Sequence, residues 1–458
     1  MTSAGTPLGD FVLSAVELLA GDDPELHDAL CGEHERQESA LSLVASSSVT
    51  DPSVLACLSS AAMNVTAEGY PGARYHAGCE QADVIERLAV DRAKEVFGAQ
   101  YVNTQSHSAT TANYTVLSSL LRPGDTIMGM RLDQGGHLTH GSRAAYSGTY
   151  FQAIGYGLDA DGLIDYDEAA ALAAFHRPKL IICGATAYPR NVDWARFRRI
   201  ADQVGALLMA DISHTAGLVA AGLNTSPIDH AHVTTTCTHK QLAGPRGGLI
   251  MCGKDAGTPF GDTGRTLAEQ LARALFPYFQ GAPILPMIAA KARALGLART
   301  AAYRRTMRRT VDNSRALADE LTALGYTVVS GGSDNHIVLL DLTGNALSGL
   351  VAEKALESVG IIVNKNRVPG DRRSASTCSG IRIGTNSVAQ RGFGAAEMRH
   401  CAELIHQVLE AVRPNGDRAY ALDDFAADFV RAEVRKLMSG FPLPRYPRLL
   451  GEPSGKRQ

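Results

Sequence analysis

Lys240 follows the β-branched run Val233-Thr234-Thr235-Thr236-Cys237 by way of Thr238 and His239, and precedes Gly244-Pro245-Arg246-Gly247-Gly248. The run reads as a strand and the Gly/Pro cluster as the turn that ends it. A lysine leaving a buried strand is costly unless its charge is used or removed. One such use is a Schiff base with pyridoxal 5'-phosphate (PLP). A lysine turning from a sheet edge into solvent has the same local sequence. Four further stretches bear on that choice. Asp211 ends the apolar run Leu207-Leu208-Met209-Ala210 and is followed by Ile212-Ser213-His214. Ligands of open α/β sheets lie beyond strand carboxyl ends, where an aspartate can pair with a protonated pyridine nitrogen or simply cap a helix. Gln105-Ser106-His107-Ser108-Ala109-Thr110-Thr111 precedes an apolar helical stretch. Small hydroxyl residues at a helix start suit a phosphate, and also plain capping. His137 stands beside Gly135-Gly136, where it can approach a flat ring closely. Arg382 lies inside the apolar strand Gly380-Ile381-Arg382-Ile383-Gly384 and needs an anion, either an internal carboxylate or that of an amino-acid substrate. Together these residues describe a nucleophilic lysine, a ring-nitrogen partner, a phosphate cradle, a ring stack and a carboxylate clamp.

Strands and helices alternate from about residue 41 to 285, the pattern of an α/β sheet, with buried-strand runs at 126–130, 180–183, 206–210 and 248–252. Residues 1–40 read as an acidic helical arm and 286–325 as connecting helices. The arginine cluster Arg304 to Arg309 reads as a solvated helix face in preference to a binding patch. From 326 to 458 strands resume near 326–330, 337–340, 361–363 and 380–384, giving a second, smaller C-terminal α/β domain. Its last helices fall at about 394–412 and 417–438, and a loose Pro/Arg-rich tail begins at Pro442.

The 458 residues are 45% hydrophobic and carry a net charge of -3, so a sizeable core is available and neither nucleic acid nor an anionic membrane is an expected partner. No C-x-x-C pair occurs among the eight cysteines, which read as reduced thiols of a cytoplasmic protein; no metal site is expected. No signal peptide or membrane span is expected either, since Glu17 interrupts the N-terminal apolar patch and no long apolar run exists.

The segments Glu68-Gly69-Tyr70-Pro71-Gly72-Ala73-Arg74-Tyr75, Gly135 to Gly141, Thr238-His239-Lys240, Gly244 to Gly248, Asn364-Lys365-Asn366 and Ile381 to Thr385 resemble the serine hydroxymethyltransferase family, in order, from about residue 25 to 412. The resemblance implies a fold-type I PLP enzyme (aspartate aminotransferase-like), with a mostly parallel sheet in the large domain and active sites shared in a homodimer. It makes Lys240 the Schiff-base lysine with His239 beside it. It pairs Asp211 with the pyridine nitrogen, puts His214 near the ring hydroxyl and stacks His137 on the ring. Ser108, Ala109 and Thr110 would hold the phosphate, Gln280-Gly281-Ala282 would reach it from the partner chain, and Thr186 would lie near the cofactor. Arg382 and Ser46 would bind the substrate carboxylate. Glu68 would be the acid–base group, with Tyr75 beside it, and Asn366 would contact folate.

Departures from the family pattern cluster around that site. Ser46-Ser47-Ser48 replaces Ser-Glu-Asn, Thr66 and His76 replace tyrosines, and Cys237 replaces threonine. Tyr278-Phe279 replaces a glycine pair, Ser374-Ala375-Ser376 replaces Ser-Pro-Phe, and Asp133-Gln134 replaces Ala-His. An intact core with an altered rim leads us to expect a threonine aldolase or transaldolase that passes a glycyl unit to an aldehyde, with tetrahydrofolate doubtful and His76 in the substrate site. The alternative is serine hydroxymethyl transfer to tetrahydrofolate.

Overall fold

In the computed structural model of the chain, the described residues are 7–444. The strands β1 (Tyr101–Asn103), β2 (Thr126–Met130), β3 (Gln152–Tyr156), β4 (Leu180–Cys183), β5 (Leu207–Asp211), β6 (Val233–Cys237) and β7 (Gly248–Cys252) form one sheet, ordered β1-β7-β6-β5-β4-β2-β3. β2 to β6 are parallel, and β7 is antiparallel to both its neighbours, β6 and β1. β1 therefore runs the same way as β6, and all strands but β7 end on one rim. Alternate residues feed two cores, as strand periodicity requires. Met128, Ile181, Leu208 and Ala210 pack on one face, and Ile127, Leu180, Ile182 and Met209 on the other. Burial on both faces explains why these strands read as continuous apolar runs.

A second sheet contains β8 (Thr327–Val328), β9 (Ile337–Asp341), β10 (Asn364–Asn366) and β11 (Gly380–Gly384), ordered β8-β9-β11-β10 and wholly antiparallel. Its core takes in Leu340, Ile381 and Ile383 together with Leu41 and Leu43 from far up the chain. The segment expected as a strand at 361–363 lies outside this sheet. Ile361–Ile362 pairs in parallel with Leu41–Ser42, and the polar Asn364–Asn366 takes the edge place. That parallel pair, the bond from the Gly384 amide to the Leu43 carbonyl (2.7 Å) and the stacking of Leu41 and Leu43 tie the segment after the arm to β11.

Helices Leu285–Ala298 and Ala301–Ala323 fill the stretch between the two sheets in sequence. A helix ends at Ala411, and the next spans Asp424–Gly440; between them Val412–Asn415 and Ala419–Leu422 form a hairpin. Pro414 and the Asn415-Gly416 pair explain why helix does not resume at 417. The arm consists of helices Pro7–Asp22 and Pro24–Ser39, the second opened by Asp23, whose carboxylate accepts from the Leu26 amide. Phe11, Val16, Leu18 and Leu30 of the arm are exposed. The tail expected to be loose lies outside the described residues from 445 on. No described helix is long and apolar enough to cross a membrane.

Candidate active site

The common rim of strand ends brings Lys240, Asp211, His137, Ser108 and Thr186 to one cavity. Beyond β6 the chain turns sharply. The Thr238 hydroxyl donates to the Pro245 carbonyl (2.6 Å), the Gly244 amide to the Thr238 carbonyl (2.8 Å), and the Ala243 amide to the Lys240 carbonyl (2.9 Å). The Ser48 hydroxyl also donates to the Lys240 carbonyl. These bonds fix the backbone of Lys240 and leave its amine facing a cavity of about 220 Å³. Lys240 is half-buried, and burial pulls its pKa below the ordinary lysine value. No carboxylate among the described residues forms an ion pair with it. His239 beside it is held neutral near pH 7, its pKa lowered to about 4 by burial and by the charges of Arg246 and Lys240.

Asp211, at the end of β5, lines the same cavity and is buried. Its Oδ2 accepts from Asn113 Nδ2 (2.8 Å) and pairs with His140 Nε2 (3.1 Å), and its Oδ1 accepts from the Ser213 amide (2.9 Å). Burial works against its charge, but the hydrogen bond and charge of His140 and the other donors outweigh it and hold the carboxyl well below the usual range. His137 approaches because Gly135 and Gly136 precede it. Gly135 has φ +99°, and a Cβ on Gly136 would meet the Met130 carbonyl oxygen at 2.1 Å. The Thr139 amide donates to His137 Nδ1 (3.2 Å), and burial, then the charge of His140, lowers the His137 pKa to about 4. A neutral ring is suited to stacking on a flat partner. His214, fully inside, is also held neutral by burial; its Nδ1 faces His336 Nε2 at 3.3 Å.

Ser108 caps the helix Ala109–Leu120, its Oγ accepting from the Thr111 amide (3.0 Å). Ser108, Ala109 and Thr110 line the cavity, so the first-turn N–H groups of a 12-residue helix open onto it. The segment that caps the helix thus also turns its first-turn N–H groups to the cavity, the arrangement an anion requires. Thr186 lines the cavity as well. Its hydroxyl donates to the Gly136 carbonyl (3.0 Å), and its own carbonyl accepts from Arg382 Nη1 (2.7 Å). Arg382 is half-buried on β11, its Nε donating to Asn364 Oδ1 (3.1 Å). Burial lowers its pKa to about 10. No carboxylate of the described residues pairs with it, so an internal Asp or Glu is not its anion.

Ser46 opens instead onto a neighbouring cavity of about 420 Å³, which shares His239 and Arg246 with the first. Glu68, Tyr75, His76 and Ala282 line neither. They gather where the hairpin Gly69–Tyr70/Ala73–Arg74 brings Glu68 and Tyr75 together, the Tyr75 amide donating to the Glu68 carbonyl (3.0 Å). His76 Nε2 lies 3.4 Å from Glu68 Oε2, and a Cβ on Gly281 would stand 3.6 Å from Glu68 Oε1. Tyr75 is 73% exposed. Asn366 is on the edge strand β10, its amide donating to the Arg367 carbonyl (2.7 Å).

Several functional positions had no role in the sequence reading. His140, Asn113 and Ser213 hold Asp211, and Asn364 holds Arg382. Each stands within four residues of a residue that was singled out, except that only folding shows which way it points. His137, His140 and Asp211 present possible metal-ligand atoms within 4.8 Å of one another. Asp211 Oδ2 and His140 Nε2 are committed to each other, and Oδ2 also to Asn113, and the residues fit PLP better. Two cations without carboxylate partners, a carboxylate kept charged in the interior, a neutral histidine and a helix start are the groups that a phosphate, a pyridinium and an amino-acid carboxylate require.

The family model described as serine hydroxymethyltransferase matches residues 19–405. The chain is 47% identical over 433 residues to "Serine hydroxymethyltransferase" of Rhodospirillum centenum, covering 94% of this chain and 97% of that protein. It is 46% identical over 443 residues to "Serine hydroxymethyltransferase 2" of Rhodospirillum rubrum, covering 96% and 99%. It is 45% identical over 427 residues to "Serine hydroxymethyltransferase" of Chromohalobacter salexigens, covering 93% and 98%. The rim of strand ends and this near-complete likeness agree: the chain belongs to the serine hydroxymethyltransferase family, PLP-dependent transferases of fold type I.

Proposed function

We propose that this enzyme cleaves the Cα–Cβ bond of L-serine, passes the one-carbon unit to tetrahydrofolate and leaves glycine. The observation that carries the reading is Arg382, a half-buried guanidinium without an internal carboxylate, tied to the cavity wall through Thr186. Bound PLP supplies the electron sink for the carbanion at Cα. Arg382 holds the substrate carboxylate and thereby sets which bond at Cα is aligned for cleavage. Lys240, its pKa lowered by burial, presents an amine closer to its nucleophilic form. Asp211, held ionised, would keep a proton on the pyridine nitrogen of bound PLP, His137 would stack on its ring, and His214 would lie by the ring hydroxyl. The first turn from Ser108 would receive the phosphate.

Glu68 is the group for the β-hydroxyl proton, or for a water beside it. It stands outside the cavity of its own chain, as do Tyr75 and Ala282, which supports a site completed by these residues from a second copy. Ser46 would then help to hold the substrate from the adjoining cavity, and Asn366 would meet folate. A second reading, threonine cleavage with glycyl transfer to an aldehyde, rests on the altered rim, above all on His76, 3.4 Å from Glu68 where the family pattern has tyrosine. The sequence placed that reading first. The names of relatives 45% to 47% identical over nearly the whole chain favour hydroxymethyl transfer instead.

The test is turnover of L-serine with tetrahydrofolate, set against L-threonine with and without added aldehydes. Folate-dependent serine cleavage well above threonine cleavage is expected. Negligible folate-dependent turnover with brisk acetaldehyde release from threonine would overturn the proposal.

A further inference from the structure

Lys291 sits inside the helix Leu285–Ala298 and is 1% exposed. Burial lowers its pKa to about 7, yet its Nζ lies within donor distance of three backbone carbonyls, those of Thr104 (2.6 Å), Ser106 (2.9 Å) and Gly248 (3.1 Å), and only the ammonium form has the three N–H groups to fill them. No carboxylate of the described residues forms an ion pair with it. Glu86, the acidic group whose charge it feels, is bound by Arg74 and Gln105. A charge this deep is normally paired.

The three carbonyls lie directly behind the segment that leads into Ser108. The Gly248 amide donates to the Ser106 carbonyl (3.0 Å), so Lys291 and β7 grip the same peptide. Because the peptide unit is planar, fixing the Ser106 carbonyl also fixes the His107 amide. The space is tight. A Cβ on Gly247 would meet Lys291 Cε at 2.2 Å, and a Cβ on Gly248 would meet the Ser108 carbonyl oxygen at 2.5 Å. At His107, next to Ser108, partial desolvation and then the Lys291 charge lower the pKa, so the field of the ammonium reaches the cradle. The hydroxyls of Thr104 and Ser106 are buried beside it without hydrogen-bond partners. Arg382 thus stands unpaired at the carboxylate pole of the site, and Lys291 stands unpaired behind the phosphate pole.

We infer that Lys291 is a positioning residue for the phosphate cradle: by gripping the Thr104, Ser106 and Gly248 carbonyls it sets the Ser108–Thr110 turn, and its charge offsets that of the phosphate. This inference rests on the proposed phosphate site at Ser108–Thr110.

The experiment compares equilibrium binding of PLP and of pyridoxal, which has the same ring and aldehyde without the phosphate, to the apo forms of wild type, K291M and K291Q. Wild type should prefer PLP. K291M should weaken PLP by at least about tenfold and pyridoxal by less than about threefold, because a lost charge is felt chiefly by the dianion. K291Q, which keeps a donor and loses the charge, should show the same loss of preference. Equal weakening of both ligands, or no weakening, would overturn the inference and leave Lys291 a packing residue. Should K291M not fold, K291Q carries the comparison and K291R, which keeps the charge, should keep the preference. If wild type shows no preference for PLP, the phosphate site at Ser108 falls and the inference with it. If wild type prefers PLP and the variants prefer it equally, only the inference falls.

Discussion

Replacing Arg382 by methionine keeps much of the side-chain volume and removes the guanidinium. Inside the protein that group is committed at two points, Nε to Asn364 Oδ1 (3.1 Å) and Nη1 to the Thr186 carbonyl (2.7 Å). The donors left on Nη1 and Nη2 are those a substrate carboxylate would meet. A hydrogen bond to a charged group contributes about 1.5–3 kcal/mol, so losing a two-pronged contact should cost about 3–6 kcal/mol. At about 1.4 kcal/mol per tenfold, amino-acid affinity should fall by a factor on the order of 10² to 10⁴. The assay is a titration of the PLP-loaded protein with L-serine and, in parallel, with ethanolamine, which has the serine skeleton without the carboxylate. R382M should lose serine binding by that factor and bind ethanolamine within about threefold of wild type. Thr186 and Asn364 lose their donor too, so a lower melting temperature is expected. Melting curves taken with the titrations separate that effect from binding. A serine Kd within about threefold of wild type, or an equal loss for ethanolamine, would refute the role of Arg382.

Acid should destabilise the apo form before the usual carboxylate range. His137 and His239 have folded pKa values lowered to about 4 and His336 to about 3, burial being the first cause in each. Their unfolded values are about 6.5, so below that pH the unfolded chain binds more protons and stability falls as pH drops from about 6.5 to 4. A histidine shifted this far contributes on the order of 3 kcal/mol, fully present above pH ~6.5. The urea midpoint should therefore decline gently from pH 8 to 7, where Lys291 with its pKa lowered to about 7 binds fewer protons folded than unfolded, and fall more steeply below 6.5; a midpoint unchanged down to pH 5 would contradict these buried neutral rings. H76Y removes the imidazole that lies 3.4 Å from Glu68, and should shift the ratio of serine to threonine kcat/KM by at least about threefold, measured on the same preparation. An unchanged ratio would exclude His76 from setting substrate preference.

Lys240, Asp211 and His137 were legible in the sequence because each stands where a strand pattern breaks into glycine or small polar residues, and a parallel sheet brings such ends to one rim. Ser108 was legible as a helix start suited to a phosphate or to plain capping, and the fold shows the cap beside the cavity. Arg382 showed as a charge within an apolar strand, but its choice between an internal carboxylate and a ligand needed the fold. Lys291 was hidden, since one lysine in the helix Leu285–Ala298 reads as its solvent face until tertiary packing buries it. The pairing of Leu41–Ser42 with Ile361–Ile362 joins segments some three hundred residues apart, beyond the reach of local pattern. Glu68, Tyr75, His76 and Ala282 follow the hairpin at 69–74 and the segment at 280–282, and their separation from the Lys240 cavity could not be read from type or spacing. Phe11 and Leu18 of the helix Pro7–Asp22 are exposed, and what surface they would meet is not encoded in their periodicity.

The cofactor lysine is the central assignment, and the described residues hold two lysines whose pKa burial lowers, Lys240 at the cavity and Lys291 behind it. Borohydride reduction of the PLP-loaded protein, followed by peptide mapping, reads this directly. The label should appear on Lys240 alone, and K240A should take up none at that peptide and lose the visible absorption of bound PLP. Label on Lys291 or another lysine, or an unchanged visible band in K240A, would contradict the account.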